Sequence, residues 1–319
     1  MRFHTDHYFA IGAAHLSSGK PCQDHALSGF GAGTAQAVIA DGCSSGGHTD
    51  VGARILTLAT MQAMRDSARM TFIEAITQQQ QRLLVATRAI LGLKKSDMLA
   101  TCAFACATPD EGGVIHVQGD GTVAIKYRDG VVSMDHFEWA NNAPFYPAYS
   151  ANGEEHLFFA YHGARAVLQD PTHATPELLD ACKKFVETAK FDEMAQTLQA
   201  TIVAIGKKSP ALSVETIGVG RTGLASLKAE FSAEEGVRGR EIRIDPGTLP
   251  SVELIAVFSD GVSQVESMSW KDVVLDFLAM KNTNGEFVKR RLIRGIRDMR
   301  TRGKGPMDDV SAAMICVEE

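Results

Sequence analysis

Short hydrophobic segments rich in β-branched residues recur along the chain and predict a strand-rich protein. Turn residues separate them, and Asp129-Gly130 predicts a hairpin turn between two of them. Strands that follow one another in this way favour antiparallel sheets. The predicted strands are Tyr8–Ala13, Ala35–Ala40, Leu99–Ala107, Val114–Val117, Val123–Tyr127, Ala200–Ile205, Val214–Val219, Leu254–Phe258 and Ala312–Val317.

Helical periodicity is confined to two parts of the chain. The predicted helices are Asp50–Arg69 with Thr49 as N-cap, Phe72–Leu91, Trp270–Met280 and Glu286–Arg300. Their predicted apolar stripes are Ile76, Leu83, Thr87 and Ile90 in the second helix and Val288, Leu292, Ile296 and Met299 in the fourth. Helices that come in pairs, rather than alternating with strands, indicate an α+β fold in which the pairs cover the outer faces of sheets.

Neither an internal repeat nor a long Pro/Gly/Ser linker divides the sequence, so we expect one domain over residues 1–319. The stretch Glu138–Gly153 is rich in turn formers and aromatic residues. We interpret it as a structured surface loop, with packing favoured over substrate contact. His116 is expected in a strand and His162 in a turn, both without a role in chemistry.

Composition narrows the class of protein. The 319 residues are 45% hydrophobic, enough for an ordinary core, and the net charge of −6 disfavours nucleic acid as a partner. The sequence predicts neither a secretory signal nor a membrane span, which favours a cytoplasmic protein. The six cysteines are scattered without C-x-x-C pairs, so neither a zinc site nor a disulfide framework is indicated. Cys102 and Cys106 are expected to pack on one face of a strand.

Aspartates stand beside turns at the ends of apolar segments in four places. These are Ala40-Asp41-Gly42, Gly119-Asp120-Gly121, Ser259-Asp260-Gly261 and Met307-Asp308-Asp309-Val310. One Asp-Gly usually only makes a turn, but four recurrences at strand ends predict a cluster, because an unpaired carboxylate at a core edge costs several kcal/mol. Oxygen ligands without paired Cys or His favour Mg²⁺ or Mn²⁺.

These motifs resemble, in order along the chain, those of metal-dependent serine/threonine protein phosphatases of type 2C, particularly the bacterial branch. Cys22-Gln23-Asp24 resembles the first acidic motif of that family, and the four motifs above resemble the later ones. The resemblance implies a four-layer α/β/β/α sandwich of two antiparallel sheets flanked by helix pairs. It also implies hydrolysis of phosphoserine or phosphothreonine in a phosphorylated protein, with a kinase as a further partner.

The resemblance implies a role for each matching residue. Asp41 would bridge two metal ions, Gly42 would offer its carbonyl, and Asp260 and Asp308 would ligate one ion. Asp24 would act through water, and Asp120 resembles the contributor to a third ion. Gln264 stands where relatives often carry an acid, so the resemblance extends to two ions, which would activate a water for in-line attack on phosphorus.

Two positions depart from the family pattern. Where relatives carry a phosphate-clamping arginine, this chain has Gly19 followed by Lys20, so Lys20, His15 and Arg54 are candidates for that contact. Where some relatives carry a histidine as general acid, this chain has Cys43, so His48 in the glycine-rich loop is a candidate, weighed against an ordinary exposed histidine.

Two other functions stay open, the first of them because of these departures. The first is a catalytically weakened phosphatase fold that serves as a signalling module, and the second is a two-metal phosphodiesterase acting on nucleotides. A basic segment also precedes Asp308, comprising Lys289, Arg290, Arg291, Arg294, Arg297, Arg300, Arg302 and Lys304. A solvated helix face is favoured there over docking of an acidic or phosphorylated partner.

Overall fold

Twelve strands form two antiparallel sheets in the computed structural model, which describes residues 1–31, 33–67, 73–188, 197–202, 210–220 and 223–318. The seven-stranded sheet has the order β1-β12-β11-β6-β7-β8-β9, and the five-stranded sheet has the order β10-β5-β4-β3-β2. The strands are β1 Arg2–Ala10, β2 Asp24–Gly31, β3 Thr34–Gly42, β4 Ala100–Thr108, β5 Gly112–Gln118, β6 Gly121–Tyr127, β7 Val132–Trp139, β8 Pro210–Gly220, β9 Gly223–Ser232, β10 Arg240–Ile244, β11 Val252–Phe258 and β12 Val310–Glu318.

Nine helices lie outside the two sheets in the described part of the chain, and two pairs of them cover the outer sheet faces. They are α1 Ala13–Ser18, α2 Thr49–Asp66, α3 Ile73–Leu91, α4 Pro147–Asn152, α5 Glu155–Gln169, α6 Pro176–Thr188, α7 Ala233–Gly236, α8 Trp270–Leu278 and α9 Phe287–Thr301, and residues 197–202 are also helical. The α2–α3 pair packs on the five-stranded sheet, and the α8–α9 pair packs on the seven-stranded sheet. The α+β sandwich of two antiparallel sheets is therefore confirmed.

The main core lies between the two sheets. Its side chains come from strand positions that face the opposite sheet, such as Ile39, Val117, Val257 and Ile315, each at most 2% exposed. Strands buried on both faces explain why β3, β4, β11 and β12 appear in the sequence as nearly continuous apolar runs. A separate small cluster joins α5, α6 and the helical residues 198 and 202.

Several local predictions were wrong. Ala200–Ile205 is not a strand at its start, since residues 200–202 are helical, and residues 203–205 lie outside the described part. His162 lies in α5 rather than in a turn, and His48, not Thr49, is the N-cap residue of α2. In α3 the buried positions are Ile73, Ile76, Gln80 and Leu84, whereas Ile90 is 82% exposed, because the helix turns that predicted face away from the sheet.

The region predicted as a surface loop is largely structured and partly buried. Strand β7 continues to Trp139, α4 begins at Pro147, and Phe145 is fully buried against Phe158 of α5. Strand β2 was missed because its sequence, with two glycines and a serine, has weak strand propensity. The apolar stripe of α9 is buried as expected, and all six cysteines are free thiols. Among the described residues, no helix is long and apolar enough to cross a bilayer.

Candidate metal centre

Strand pairing places Asp24 and Asp41 side by side at one end of the five-stranded sheet. Strand β2 begins at Asp24 and β3 runs antiparallel to it, so the two residues are partners in the register. On its other side Asp41 is paired with Thr101 at the start of β4. Antiparallel pairing therefore joins the first and second acidic motifs, although they look unrelated in the sequence.

The seven-stranded sheet brings three more aspartates to the same end of the sandwich. Phe258 at the end of β11 is paired with Thr122 on one side and with Ala312 on the other. Asp260 follows β11, Asp120 precedes β6 and Asp308 precedes β12. The three loops that carry them therefore meet where these neighbouring strands begin or end.

Two glycines allow these loops to approach one another closely. Gly121 has φ +129°, and a Cβ there would lie 2.7 Å from the carbonyl oxygen of Phe258. A Cβ at Gly261 would lie only 1.8 Å from the carbonyl oxygen of Asp309. The glycine that follows each aspartate thus permits contact between backbones as well as a turn.

The aspartates border a cavity of about 290 Å³. Its lining residues are Asp41, Gly42, Cys43, Ser44, Ser45, Thr101, Asp120, Asn142, Pro144, Tyr146, Asp260, Gln264 and Asp308. Asp24 is only 2% exposed and lies beside Asp41, and within the described ranges neither of its carboxylate oxygens accepts a hydrogen bond. Five of the six residues predicted to hold metal therefore belong to one cavity, and the sixth is buried next to it.

Burial and mutual repulsion make these carboxylates hard to ionise. Burial, together with the charges of Asp309 and Asp260, raises the pKa of Asp24 to about 8. Burial also raises the pKa of Asp41 and of Asp120 well above the usual value, and the charge of Asp260 adds to both shifts. The pKa of Asp260 is raised by burial and by the charge of Asp308. Nearby positive charge is therefore needed to keep the cluster ionised at neutral pH.

Protein side chains do not supply that charge among the residues that the structure describes. Asp24, Asp41, Asp120 and Asp260 form no ion pair with a described lysine or arginine, and both oxygens of Asp24 lack a donor. A group of buried carboxylates around an open, oxygen-lined cavity fits hard divalent cations such as Mg²⁺ or Mn²⁺. The donor set thus agrees with the metal predicted from the sequence.

Gln264 partly replaces a cation at one side of the cavity. Its Nε2 amide donates to Asp260 Oδ2 at 2.9 Å and to Asp308 Oδ2 at 3.2 Å. One neutral side chain therefore holds two carboxylates together and lowers their repulsion. From the sequence, Gln264 was noted only because relatives often carry an acidic residue at its position.

Asp308 and Asp309 are neighbours with different surroundings. Asp308 faces the cavity, whereas Asp309 is 2% exposed and accepts hydrogen bonds from the backbone N–H of Gly12 (2.7 Å) and of Gln23 (2.6 Å). His15 Nδ1 donates to Asp309 Oδ2 at 2.9 Å and lies 3.8 Å from Asp308 Oδ1. His15, Asp308 and Asp309 form a group with donor atoms within 4.8 Å of one another. Because Asp309 is already saturated with donors, we assign it to holding the loops, not to binding metal.

The three predicted catalytic residues lie around the cavity, and they are absent from its described lining. Lys20 follows α1 and its Nζ donates to the carbonyl oxygen of Ser44, a lining residue, at 3.1 Å. His48 is exposed, and its backbone N–H donates to Asp97 Oδ1 at 2.9 Å. His15 is buried against Asp309, and Arg54 lies over the ring of Phe9, 6.0 Å from its centroid. Lys20 is therefore the best placed of these cations toward the cavity.

Sequence reasoning missed one wall of the cavity. Asn142, Pro144 and Tyr146 line it, although packing was favoured over substrate contact for their segment. Asn142 has φ 51°, a left-handed conformation that the sequence Asn141-Asn142 tolerates better than most. That pair of asparagines before a proline was the available signal for a sharply turned, site-forming segment.

Comparisons with known proteins identify a family for most of the chain. The family model described as Protein phosphatase 2C matches residues 11–294, whereas no curated protein matches the sequence. The serine/threonine phosphatase Stp1 from Staphylococcus aureus is similar in structure, with a TM-score of 0.51, 10% identity, and coverage of 100% of this chain and 96% of that chain. The serine/threonine phosphatase PstP/Ppp of Mycobacterium tuberculosis has a TM-score of 0.46 and 12% identity, with 100% of each chain covered.

Proposed function

The chain belongs to the protein phosphatase 2C family, and we propose that it hydrolyses phosphoserine and phosphothreonine monoesters in proteins, using two divalent cations held in the aspartate cavity. One observation carries the proposal. Carboxylates from both sheets converge on one open cavity, and the pKa values of Asp24, Asp41, Asp120 and Asp260 are raised without a described lysine or arginine partner. Such a protein would act on the products of a protein kinase. Location in the cytoplasm and a single domain over the whole chain stay predictions.

The residues that would hold the cations are Asp41, Asp260 and Asp308, with the carbonyl of Gly42, and with Asp24 and Asp120 nearby. When bound, Mg²⁺ or Mn²⁺ supplies positive charge for phosphoryl oxygens and a water acidic enough to act as nucleophile near neutral pH. Gln264 keeps Asp260 and Asp308 oriented through its two hydrogen bonds. Asp309 positions the loop before β2 against the loop before β12.

The arginine that clamps phosphate in relatives is missing from this chain, so we propose that another cation contacts the substrate phosphate. Lys20 is the proposed cation, since its ammonium group already lies at Ser44 on the cavity wall. A lysine acts as a point charge and does not make the two parallel hydrogen bonds of an arginine. His15 is proposed to hold Asp309 in position through its direct hydrogen bond, and not to bind phosphate. The proposal for His48 as general acid is the weaker one, because its side chain is exposed outside the described lining.

The decisive experiment compares hydrolysis of an aryl phosphate and of a phosphothreonine peptide in EDTA, Mg²⁺ and Mn²⁺. We expect cation-dependent turnover that falls by at least about 100-fold in Asp41→Asn and Asp260→Asn. Asp110→Asn serves as the matched control, since Asp110 is exposed in a turn outside the described cavity lining. Full activity of Asp41→Asn, or equal activity in EDTA, would contradict the proposal. A folded wild-type protein without turnover would instead favour the signalling module.

A further inference from the structure

The outer face of α9 concentrates positive charge in an otherwise acidic protein. Six of its 15 residues are basic and one is acidic, whereas the whole chain has a net charge of −6. The opposite face is fully engaged in the core through residues such as Val288, Leu292 and Ile296. Packing therefore accounts for the apolar half of this helix and leaves the charged half facing solvent.

Only some of these cations are used within the fold. Arg291 donates to the carbonyl oxygen and to the carboxylate of Asp276, and Arg290 donates to the carbonyl oxygen of Asn284. Among the described residues, Lys281 and Arg294 have neither an ion pair nor a hydrogen-bond acceptor. Arg297 has only the adjacent Asp298, at 3.6 Å. The remaining positive charge is thus available to an external anion.

These cations also border a depression that could receive acidic groups. Lys281, Arg290, Arg291 and Arg294 line a cavity of about 150 Å³ beside the N-terminal half of α9. From Arg290 to Arg300 the helix extends about 15 Å, given a rise of about 1.5 Å per residue. An extended peptide of about five residues covers the same length.

The other end of α9 reaches the loops of the candidate metal centre. Arg300 Nη2 donates to the carbonyl oxygen of Ile11 at 3.3 Å, and the next residue, Gly12, donates its N–H to Asp309 at 2.7 Å. The segment that follows α9 continues to Met307, whose N–H donates to the carbonyl oxygen of Gln264 at 2.9 Å. A protein whose phosphate enters the aspartate cavity can therefore extend over α9.

We propose that the α9 surface, formed by Lys281, Arg290, Arg294 and Arg297, docks a segment rich in Asp and Glu on the phosphorylated substrate protein. This inference rests on the proposed phosphatase function and names the substrate class. The net charge of −6 repels an acidic substrate protein at long range, and a basic surface on α9 offsets that repulsion. Electrostatic attraction of this kind speeds association and selects partners more than it adds affinity per contact.

The test compares Arg294→Glu/Arg297→Glu with Lys183→Glu/Lys228→Glu, which makes the same change in net charge at exposed sites outside the α9 surface. Two fluorescent phosphothreonine peptides are used, one with an acidic segment five to ten residues from the phosphate and one with a neutral segment. In 50 mM salt, fluorescence anisotropy should show that Arg294→Glu/Arg297→Glu binds the acidic peptide about tenfold more weakly than wild type does. The Lys183→Glu/Lys228→Glu variant should bind it as wild type does. The same loss for Arg294→Glu/Arg297→Glu should appear in kcat/KM for that peptide, with aryl phosphate turnover unchanged within about twofold.

The outcomes separate the two proposals. Absent turnover in every variant would contradict the phosphatase function, and the anisotropy comparison would still decide the docking. Equal binding of the acidic peptide by both double variants, or equal losses for acidic and neutral peptides, would overturn the docking. The docking would also be overturned if the protein bound phosphatidylserine vesicles through Arg294 and Arg297 but bound the acidic and neutral peptides equally well.

Discussion

The side-chain amide of Gln264 lies between the carboxylates of Asp260 and Asp308, with its Nε2 at 2.9 Å and 3.2 Å from their Oδ2 atoms. Because this amide donates a hydrogen bond to each acid, it lowers the repulsion between them when metal is absent. The carboxylates come from loops after β11 and before β12, so Gln264 also ties the two loops together.

Replacing Gln264 by glutamate should make the protein more dependent on divalent cations. The change removes both hydrogen bonds and adds a third carboxylate, so the free energy of unfolding in EDTA should fall by about 2 kcal/mol or more. Saturating Mn²⁺ should restore most of the loss, as measured by urea unfolding. Gln264→Ala is the control that removes the donor without adding charge. Equal stability of wild type and Gln264→Glu in EDTA would show that the bridge is unimportant.

The neighbours Asp308 and Asp309 should respond in opposite ways to replacement by asparagine. Asp309→Asn weakens three buried hydrogen bonds and should lower the free energy of unfolding by about 2–4 kcal/mol even in EDTA. Asp308→Asn should leave that free energy nearly unchanged, or raise it, while weakening Mn²⁺ binding by at least about tenfold. Calorimetric titration and urea unfolding measure the two effects. Similar losses of stability in both variants would contradict the division of roles.

Lys20 and His48 should differ in their effect on kinetics. Lys20→Ala removes a cation beside Ser44, so KM for a phosphopeptide should rise about tenfold with kcat changed less. His48→Ala should change either constant by no more than about twofold, because the imidazole is exposed outside the described lining. Steady-state kinetics at saturating Mn²⁺ distinguishes the two variants. A selective fall of kcat in His48→Ala would restore the general-acid prediction for that residue.

Buried His116 should make the protein sensitive to acid. Burial lowers its pKa to about 4 in the folded protein, from 6.5 in an unfolded chain. The unfolded chain therefore takes up a proton first, so the stabilisation is present above pH 6.5 and is lost as the pH falls from 6.5 through 4. The loss should approach roughly 3 kcal/mol.

Urea unfolding in EDTA between pH 7 and pH 4 measures this loss. Comparison of variants separates the contribution of His116 from that of the aspartates. Their raised pKa values favour the folded protein as the pH falls, which is the opposite effect on the free energy of unfolding. His116→Gln should fall in stability less steeply than wild type, and His173→Asn, at an exposed histidine, should match the wild-type slope. Parallel pH profiles for wild type and His116→Gln would rule out this origin of acid sensitivity.

Much of the fold was accessible from local patterns. Apolar runs identified the strands buried on both faces, and the period of α9 identified its buried stripe. Strand β7 was not predicted because polar residues such as Asp135 and His136 interrupt its alternation of apolar and polar residues. Helix α5 was not predicted because it directly follows the aromatic segment that was interpreted as a loop. These elements are stabilised by contacts between distant segments, and a short window of sequence does not contain those contacts.

The sequence by itself determined which aspartates stand at strand ends, because an acid at a turn beside an apolar run marks the limit of a strand whatever surrounds it. Only the tertiary structure decided what each aspartate does. Gly12 and Asp309 are 297 positions apart, yet their hydrogen bond withdraws Asp309 from the cavity and leaves Asp308 facing it. Hydrogen bonds of this kind depend on where antiparallel pairing sets the strand ends, so neighbouring identical residues acquire different chemistry only after folding.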